Sequence, residues 1–478
     1  MVHHQFFNSI KLGLLAWLNS VEVSPAGNTF LVSVTKRDVP NNQLLDEFYV
    51  LSATGEQIHQ KNGSSPVFSP DGKHIAFEDN GALYIYHLET KESRKLTAIY
   101  NSEYFMGHMA EKNFVWSPDS KSIAFISTDP YTSSSDTPPQ QVIGRLLYKT
   151  KGGRGRDKFD DERLSHIWIV PLEIPEPFCL TSGDFNEHSI SWSPDGNHIA
   201  FICDRSGNPD RTHNNDLLTI NVNTKEIRTV VTGTGTRFKP KWSPHSDRIA
   251  FLADESVFTS KDSPAPDVHV YCVNRDGNEL RCVTASLDRR TDNIKWSSAG
   301  DKIYFTAGNH GSTSLYSVDI SGTAIEKVIQ GSFQLKDYSI DDKNNHVAFI
   351  KNTINTPDEL YVSGLDHQQC RRITQFNHPV TNTTALADAE TFWFNAQDNT
   401  AIQGWLMKPA VLETSAQFPL VLVIHGGPHN MYGYEFDEKM QWLAAEGYGV
   451  VFFNPRGSSG YGQEFTNGNL LNWGGKDY

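Results

Sequence analysis

The sequence predicts an all-β, seven-bladed β-propeller over residues 21–378, followed over 379–478 by the opening half of an α/β domain with a buried parallel sheet. Two observations carry that reading. A ten-residue unit of aromatic, Ser, Pro, Asp, Gly, two polar residues, Ile, Ala and Phe recurs through the first three quarters of the chain. Past residue 380 the unit stops, and two continuous apolar runs, 420–424 and 449–453, each lead into glycine-rich sequence.

Residues 1–20 hold one short apolar run, 12–18, preceded by Lys11. It is too short to cross a bilayer and has no A-x-A site after it, so it is expected to be an N-terminal helical segment and no signal peptide. The unit then follows. Clear copies are Phe68-Ser69-Pro70-Asp71-Gly72 with Ile75-Ala76-Phe77, and Trp116-Ser117-Pro118-Asp119-Ser120 with Ile123-Ala124-Phe125. Two more are Trp192-Ser193-Pro194-Asp195-Gly196 with Ile199-Ala200-Phe201, and Trp242-Ser243-Pro244-His245 with Ile249-Ala250-Phe251. Degenerate copies start at Trp296 and Ile340, and Val23-Ser24-Pro25-Ala26-Gly27 reads as the first. Most copies repeat every 43 to 54 residues, roughly one four-stranded propeller blade each. Ser, Pro, Asp and Gly suit the four positions of a type I turn. In the strand after it, Ile and Phe share one face and Ala takes the other. The aromatic before the turn is expected to pack between blades.

One interval is long, with 76 residues between Ser117 and Ser193. Its basic Gly-rich run at 149–156 is followed by Asp157, Asp160, Asp161 and Glu162. A self-neutralising loop carrying an inserted hairpin on the propeller rim is expected there.

In the last hundred residues, Phe392-Trp393-Phe394 and 402–407 read as a hairpin with its turn at 397–400. The run 420–424 is typical of a strand covered on both faces. Residues 436–446 place Met440, Leu443 and Ala444 at helical spacing and stop at Gly447, a natural C-cap. The order strand, strand, strand, helix, strand is the N-terminal half of an α/β-hydrolase domain. In such a domain a buried strand ending in a glycine-rich loop, here His425-Gly426-Gly427-Pro428, builds half of an oxyanion hole. The nucleophile belongs on a G-x-S-x-G elbow, and no such pentapeptide occurs in these 478 residues. The strand at 420–424 is therefore expected to be an open apolar edge, and 380–478 the poorly ordered, aggregation-prone part.

A propeller followed by H-G-G-P and by Asn454-Pro455-Arg456-Gly457-Ser458-Ser459-Gly460-Tyr461-Gly462 resembles the prolyl oligopeptidase family of serine peptidases. His425 in place of a tyrosine, Leu180-Thr181-Ser182-Gly183-Asp184 and Asp204-Arg205 resemble its acylaminoacyl-peptidase branch. The resemblance implies cleavage of short peptides, acylaminoacyl- or dipeptidyl-peptidase-like, with the propeller limiting access. It implies the Gly427 amide as an oxyanion donor, with Gly426 letting the loop approach closely. It implies that His425 and Pro428 support the loop, that His425 is no catalytic base, and that Arg456 sits in a structural ion pair. Nucleophile, acid and base would all lie beyond Tyr478, so this chain alone is expected to be inactive. The alternative is a non-catalytic propeller used for binding or as a scaffold, with a vestigial hydrolase segment.

Composition narrows the rest. A net charge of −14 argues against a general nucleic-acid or anionic-membrane binder. Five scattered cysteines (179, 203, 272, 282 and 370) form no C-x-x-C pair and read as reduced thiols of a cytoplasmic protein. No metal-binding spacing and no nucleotide-cofactor glycine pattern is present, so neither metal nor cofactor is expected. Short peptides are the expected substrates, and a second copy or a complementing C-terminal half the expected partners.

Overall fold

The computed structural model describes residues 9–100, 113–129, 149–150, 158–159, 163–207, 214–254, 267–341, 343, 345–366, 369–410 and 417–477. Up to residue 372 these residues form antiparallel four-stranded meanders: 16–62, 64–98, 114–179, 187–231 and 236–282. Two further meanders, 291–329 and 334–372, are joined into one sheet by a single parallel pairing of Thr313 with Gln334.

The repeated Ile-Ala-Phe explains how the meanders stack. Ala76 packs with Ile123 and Phe125 of the next meander, Ala124 with Ile199 and Phe201, Ala200 with Ile249 and Phe251, and Ala250 with Ile303 and Phe305. The large side chains of one sheet meet the small face of the sheet before it, so both faces are buried. The turns add polar links. Ser69, Ser117 and Ser193 donate to Asp71, Asp119 and Asp195 at 2.6 Å. Where serine replaces the turn glycine, at Ser120 and Ser246, φ is 60° and 59°. Those hydroxyls accept the Asp71 and Asp195 amides of the preceding meander at 3.0 Å, offsetting the cost of the left-handed backbone. The unit's aromatics do pack between sheets: the indoles of Trp116, Trp242 and Trp296 donate to Val67, Ser191 and Lys241 carbonyls of the preceding sheet.

The first and last meanders close on each other. Ala16, Leu18, Val21 and Val32 share a core with Ala348, Ile350, Leu360 and Val362. Val21 and Val23 amides donate to Asp337 (2.8 Å) and Ser339 (3.0 Å). The first strand runs Ala16–Val23, so the first sheet begins before residue 21, and the helix preceding it covers Ser9–Leu12 among the described residues. The cause is a side chain far along the chain: Asn377 accepts the Ala16 amide (2.8 Å) and donates to the Ala16 carbonyl (2.9 Å), fixing 16 as extended backbone.

In the long interval, Lys149–Thr150 pairs antiparallel with Lys158–Phe159. Residues 151–157, which hold the rest of the basic run and the tip of the expected hairpin, lie outside the described residues.

Four strands between residues 389 and 453 form a separate sheet in the order Ala389–Asn395, Ala401–Met407, Gly449–Phe453, Leu420–Val423. The first two pairings are antiparallel, and Leu420–Val423 runs parallel to Gly449–Phe453. The helix Glu438–Ala445 is capped by the Asp437 carboxylate, which accepts the Lys439 and Met440 amides at 2.8 and 2.9 Å. It covers one sheet face: Met440 and Ala444 pack with Trp405, Met407, Val450 and Phe452, and Val423 joins them. The expectation of a strand covered on both faces is corrected for 420–424. Leu420, Leu422 and Ile424 alternate outward, 59%, 51% and 67% exposed. The strand is thus a one-sided edge strand among the described residues, and its two-residue period decides which side is wet.

The two sheet systems touch at a crossing of glycines. A Cβ on Gly433 would lie 1.8 Å from the Gly311 carbonyl oxygen. The Tyr434 amide donates to that oxygen at 2.8 Å. Beside it Gln441 donates to the Ile354 and Ala387 carbonyls at 2.8 Å.

Candidate active-site loop

The glycine loop leaves the end of the Leu420–Val423 strand. Gly427 sits at φ +136°, where a Cβ would lie 2.9 Å from the His429 amide nitrogen, so local backbone geometry demands glycine. A Cβ on Gly426 would meet nothing within 4 Å, so that position faces open space. Both glycines are exposed, Pro428 is half-buried, and the Gly427–Pro428 peptide bond is cis. Among the described residues neither the Gly426 nor the Gly427 amide donates to a protein acceptor.

His425 faces the second glycine-rich segment. Its Nε2 lies 2.9 Å from Ser458 Oγ, and its ring stands edge-on to Tyr432 at 4.9 Å. Ser458 is fully buried and donates its one proton to the Pro455 carbonyl at 2.7 Å. The other ring nitrogen, Nδ1, lies 3.1 Å from the Gly426 carbonyl, so the imidazole is held on both sides. This histidine–serine pair is therefore a brace. Its hydroxyl is committed to backbone and reaches no open space. His429 adds a bond from Nδ1 to the Gly457 carbonyl at 2.8 Å.

Arg456 donates from Nη2 to Asp398 and to Thr400 Oγ1 (2.7 Å), and from Nη1 to the Lys476 carbonyl (2.5 Å). It is nearly buried and ties the hairpin turn at 396–400 beneath the loop. The Thr400 hydroxyl, then its amide, Lys476 and Arg456, hold the Asp398 carboxyl down to about 2.

The sequence reading missed the residue that joins these parts. Asn454 is fully buried at the end of Gly449–Phe453. Its Oδ1 accepts the Tyr432 amide at 2.7 Å, and its Nδ2 donates to the Tyr432 carbonyl (2.8 Å) and to the Tyr461 hydroxyl (2.7 Å). Tyr461 passes its own proton to Gln403 Oε1 at 2.7 Å. Burial raises the Tyr461 phenol above its ordinary value, so it stays neutral. The one signal in the sequence was a polar residue ending an apolar strand. Together these contacts hold a loop with free backbone donors rigidly at a strand end, a geometry suited to an oxyanion. Among the described residues no three of His, Cys, Asp and Glu gather to hold a metal ion, and no helix is long and apolar enough to cross a membrane.

Comparison with known proteins gives matches at both ends of the chain. The family described as the prolyl oligopeptidase family matches residues 434–478, and the one described as the dipeptidyl peptidase IV N-terminal region matches 24–139. The uncharacterized peptidase YuxL of Bacillus subtilis is 29% identical over 88% of this chain, which spans 65% of that protein. Dipeptidyl-peptidase 5 of Porphyromonas gingivalis is 23% identical over 97% of this chain and is spanned over 70% of its length. The dipeptidyl-peptidase 5 of Arthroderma otae is spanned over 46%. Among solved structures, the acylaminoacyl peptidase of Pyrococcus horikoshii superposes with a TM-score of 0.78 at 20% identity, covering 99% of this chain and 70% of that one. At that identity the likeness speaks for the fold.

Proposed function

We propose that this chain, a member of the prolyl oligopeptidase family, supplies the propeller and the oxyanion half of a serine peptidase acting on short peptides in an acylaminoacyl- or dipeptidyl-peptidase-like manner. The seven meanders are read as seven blades of a propeller, and 379–478 as the first half of the hydrolase domain it covers. The observation that carries the reading is the braced glycine loop. Gly427 is held at φ +136° with its amide and that of Gly426 free, and His425, Asn454 and Arg456 are all engaged in holding the surroundings. In this reading the Gly427 amide donates to the oxygen of a tetrahedral intermediate, where one such donor contributes about 3–4 kcal/mol to the barrier. The nucleophile, its base and the orienting carboxylate come from outside these 478 residues. That none of the five cysteines is in a disulfide supports a cytoplasmic site of action.

The test compares the chain alone with the chain continued by the C-terminal third of a relative. Fluorophosphonate labelling and turnover of acyl-alanyl and dipeptidyl anilides are measured for both. No labelling of the 478-residue chain is expected, and turnover by the completed protein. Replacing Gly427 with proline in the completed protein removes the donor and also forces the backbone away from φ +136°, and should lower kcat about 100-fold or more. Stoichiometric labelling of the 478-residue chain, or full activity of the proline variant, would overturn the proposal.

A further inference from the structure

Two aspartates meet where the meanders touch residues 462–466. Asp267 lies just before the strand His269–Asn274, and Asp288 in the connection that leads to Thr291–Trp296. Gln463, the first residue of the short helix Gln463–Thr466, bridges them. Its amide donates to Asp288 Oδ1 at 2.8 Å, and its Oε1 accepts the Asp267 amide. Gly462 allows the approach: a Cβ there would fall 2.3 Å from Asp288 Oδ2.

The Asp267 carboxyl does not have what a buried carboxylate needs. Its Oδ2 is buried and meets no donor among the described residues. Its neighbour is the Asp288 carboxyl, which as a carboxylate can only accept. A proton on Asp267 changes that, because the acid can donate to Asp288. We propose that Asp267, when protonated, donates to Asp288 and so forms a pH-dependent catch that fastens the propeller to the segment carrying the glycine loop.

The surrounding groups fit this role. Burial, and after it the Asp288 charge and the hydrogen bond to Asp288, push Asp267 up to about 6 against the pull of Arg289 and Arg290. Arg289 is held by Asn309 (Nε, 3.0 Å) and the Asp288 carbonyl (2.5 Å), and its Nη1 lies 3.9 Å from Asp288 Oδ2, a loose pair on the exposed side of that carboxylate. His269, on the same strand as Asp267, turns to Thr284 at 3.3 Å. From the other side come the neutral Gly462 and Gln463, while Glu464 is exposed. His310 packs on Tyr461 and donates its amide to the Gly460 carbonyl (3.1 Å); burial and then Arg289 hold its ring below the ordinary value. Asp267 binds its proton more tightly in the closed state, so the catch is strongest below the ordinary carboxylate range. It weakens as pH rises through about 6, when a second negative charge appears beside Asp288. The consequence reaches the loop through short steps. Thr466 donates its amide to the Gly462 carbonyl, its hydroxyl is shared between the Gly462 (3.0 Å) and Ser458 (3.2 Å) carbonyls, and Ser458 holds His425.

The Gln463 amide is the natural reporter, because it donates to Asp288 directly. Its hydrogen-exchange protection, corrected for the intrinsic exchange rate, is measured in the full chain at pH 5 and pH 7.5. A fall of several-fold is expected in the wild type, since a carboxyl at about 6 when closed and at its ordinary 3.8 when open gives at most about tenfold over this pH range and this site is partly exposed. Asp267→Asn keeps a permanent donor and should hold the pH 5 protection throughout. Asp288→Asn still accepts the Gln463 amide but removes the neighbouring charge, so the fall should move to lower pH. If Asp267→Asn fails to fold, the shift in Asp288→Asn carries the test. The same pH response in the wild type and in both variants would assign the effect to His310 or another group and overturn the catch.

Discussion

Replacing Asn454 with alanine should loosen the glycine loop by an amount that follows from its partners. The side chain satisfies the amide and the carbonyl of Tyr432 and gives one bond to Tyr461. Each buried group left without a partner costs about 1–3 kcal/mol. Tyr461 keeps its bond to Gln403, and Tyr432 is half-buried so water recovers part of the loss. A cost of about 2–4 kcal/mol remains, which corresponds to roughly thirty- to nine-hundred-fold faster exchange of the Tyr432 amide. Native-state hydrogen exchange reads it directly, without requiring that both domains unfold together. Asn454→Asp separates hydrogen bonding from volume. It keeps an acceptor for the Tyr432 amide but sets a carboxylate oxygen against the Tyr432 carbonyl, so at pH 7 it should cost at least as much as alanine. On acidification the protonated carboxyl donates again and the cost should ease. Tyr432 exchange within threefold of wild type in Asn454→Ala, or no easing of Asn454→Asp at low pH, would refute the reasoning.

Three further outcomes are expected. Gly433→Ala should force the crossing with Gly311 apart, break the Tyr434–Gly311 bond and cost about 2 kcal/mol or more, read as a lower melting temperature in calorimetry. Leu422→Lys should raise the monodisperse fraction in light scattering without loss of stability, whereas Val423→Lys buries an ammonium against Met440 and Ala444 and should destabilise; equal behaviour of the two would contradict the facing of that strand. Thr400→Val should let the Asp398 carboxyl rise from about 2 toward its ordinary value. Since a depressed carboxyl stabilises above the ordinary range and loses that effect as pH falls through its folded value, the hairpin turn of the variant should fray at higher pH than wild type in a carboxyl NMR titration.

The legible parts of the fold were those written locally. Ser-Pro-Asp-Gly encodes its own turn, and Ile-Ala-Phe encodes which face is large and which small, so the meanders and their stacking followed from a ten-residue unit. The hairpin turn near Asp398 and the helix stop at Gly447 were local as well. The role of Ala16 was invisible because the residue that extends it, Asn377, lies at the other end of the repeat array. At the loop, Gly426 and Gly427 announce themselves by type. Asn454 does not, because a lone asparagine after Phe453 says nothing until Tyr432 is seen folding back onto it. The exposed side of 420–424 was misjudged for a related reason. An apolar run reports its own hydrophobicity and is silent about which neighbours are there to cover it.

The closure of the first meander on the last also sets a clock. At about 5–20 residues per second, a ribosome needs roughly 20 to 75 s to travel from Ala16 to Asn377. Throughout that time Ala16, Leu18 and Val21 wait for Ala348, Ile350 and Leu360, which have not yet been made. Each intermediate sheet can lay its large residues on its predecessor as it emerges, so the array grows by addition, but the initial sheet keeps an apolar flank until the final one arrives. The nascent chain is thus most adhesive at its oldest end, and a chaperone binding during synthesis would find its longest-lived target there.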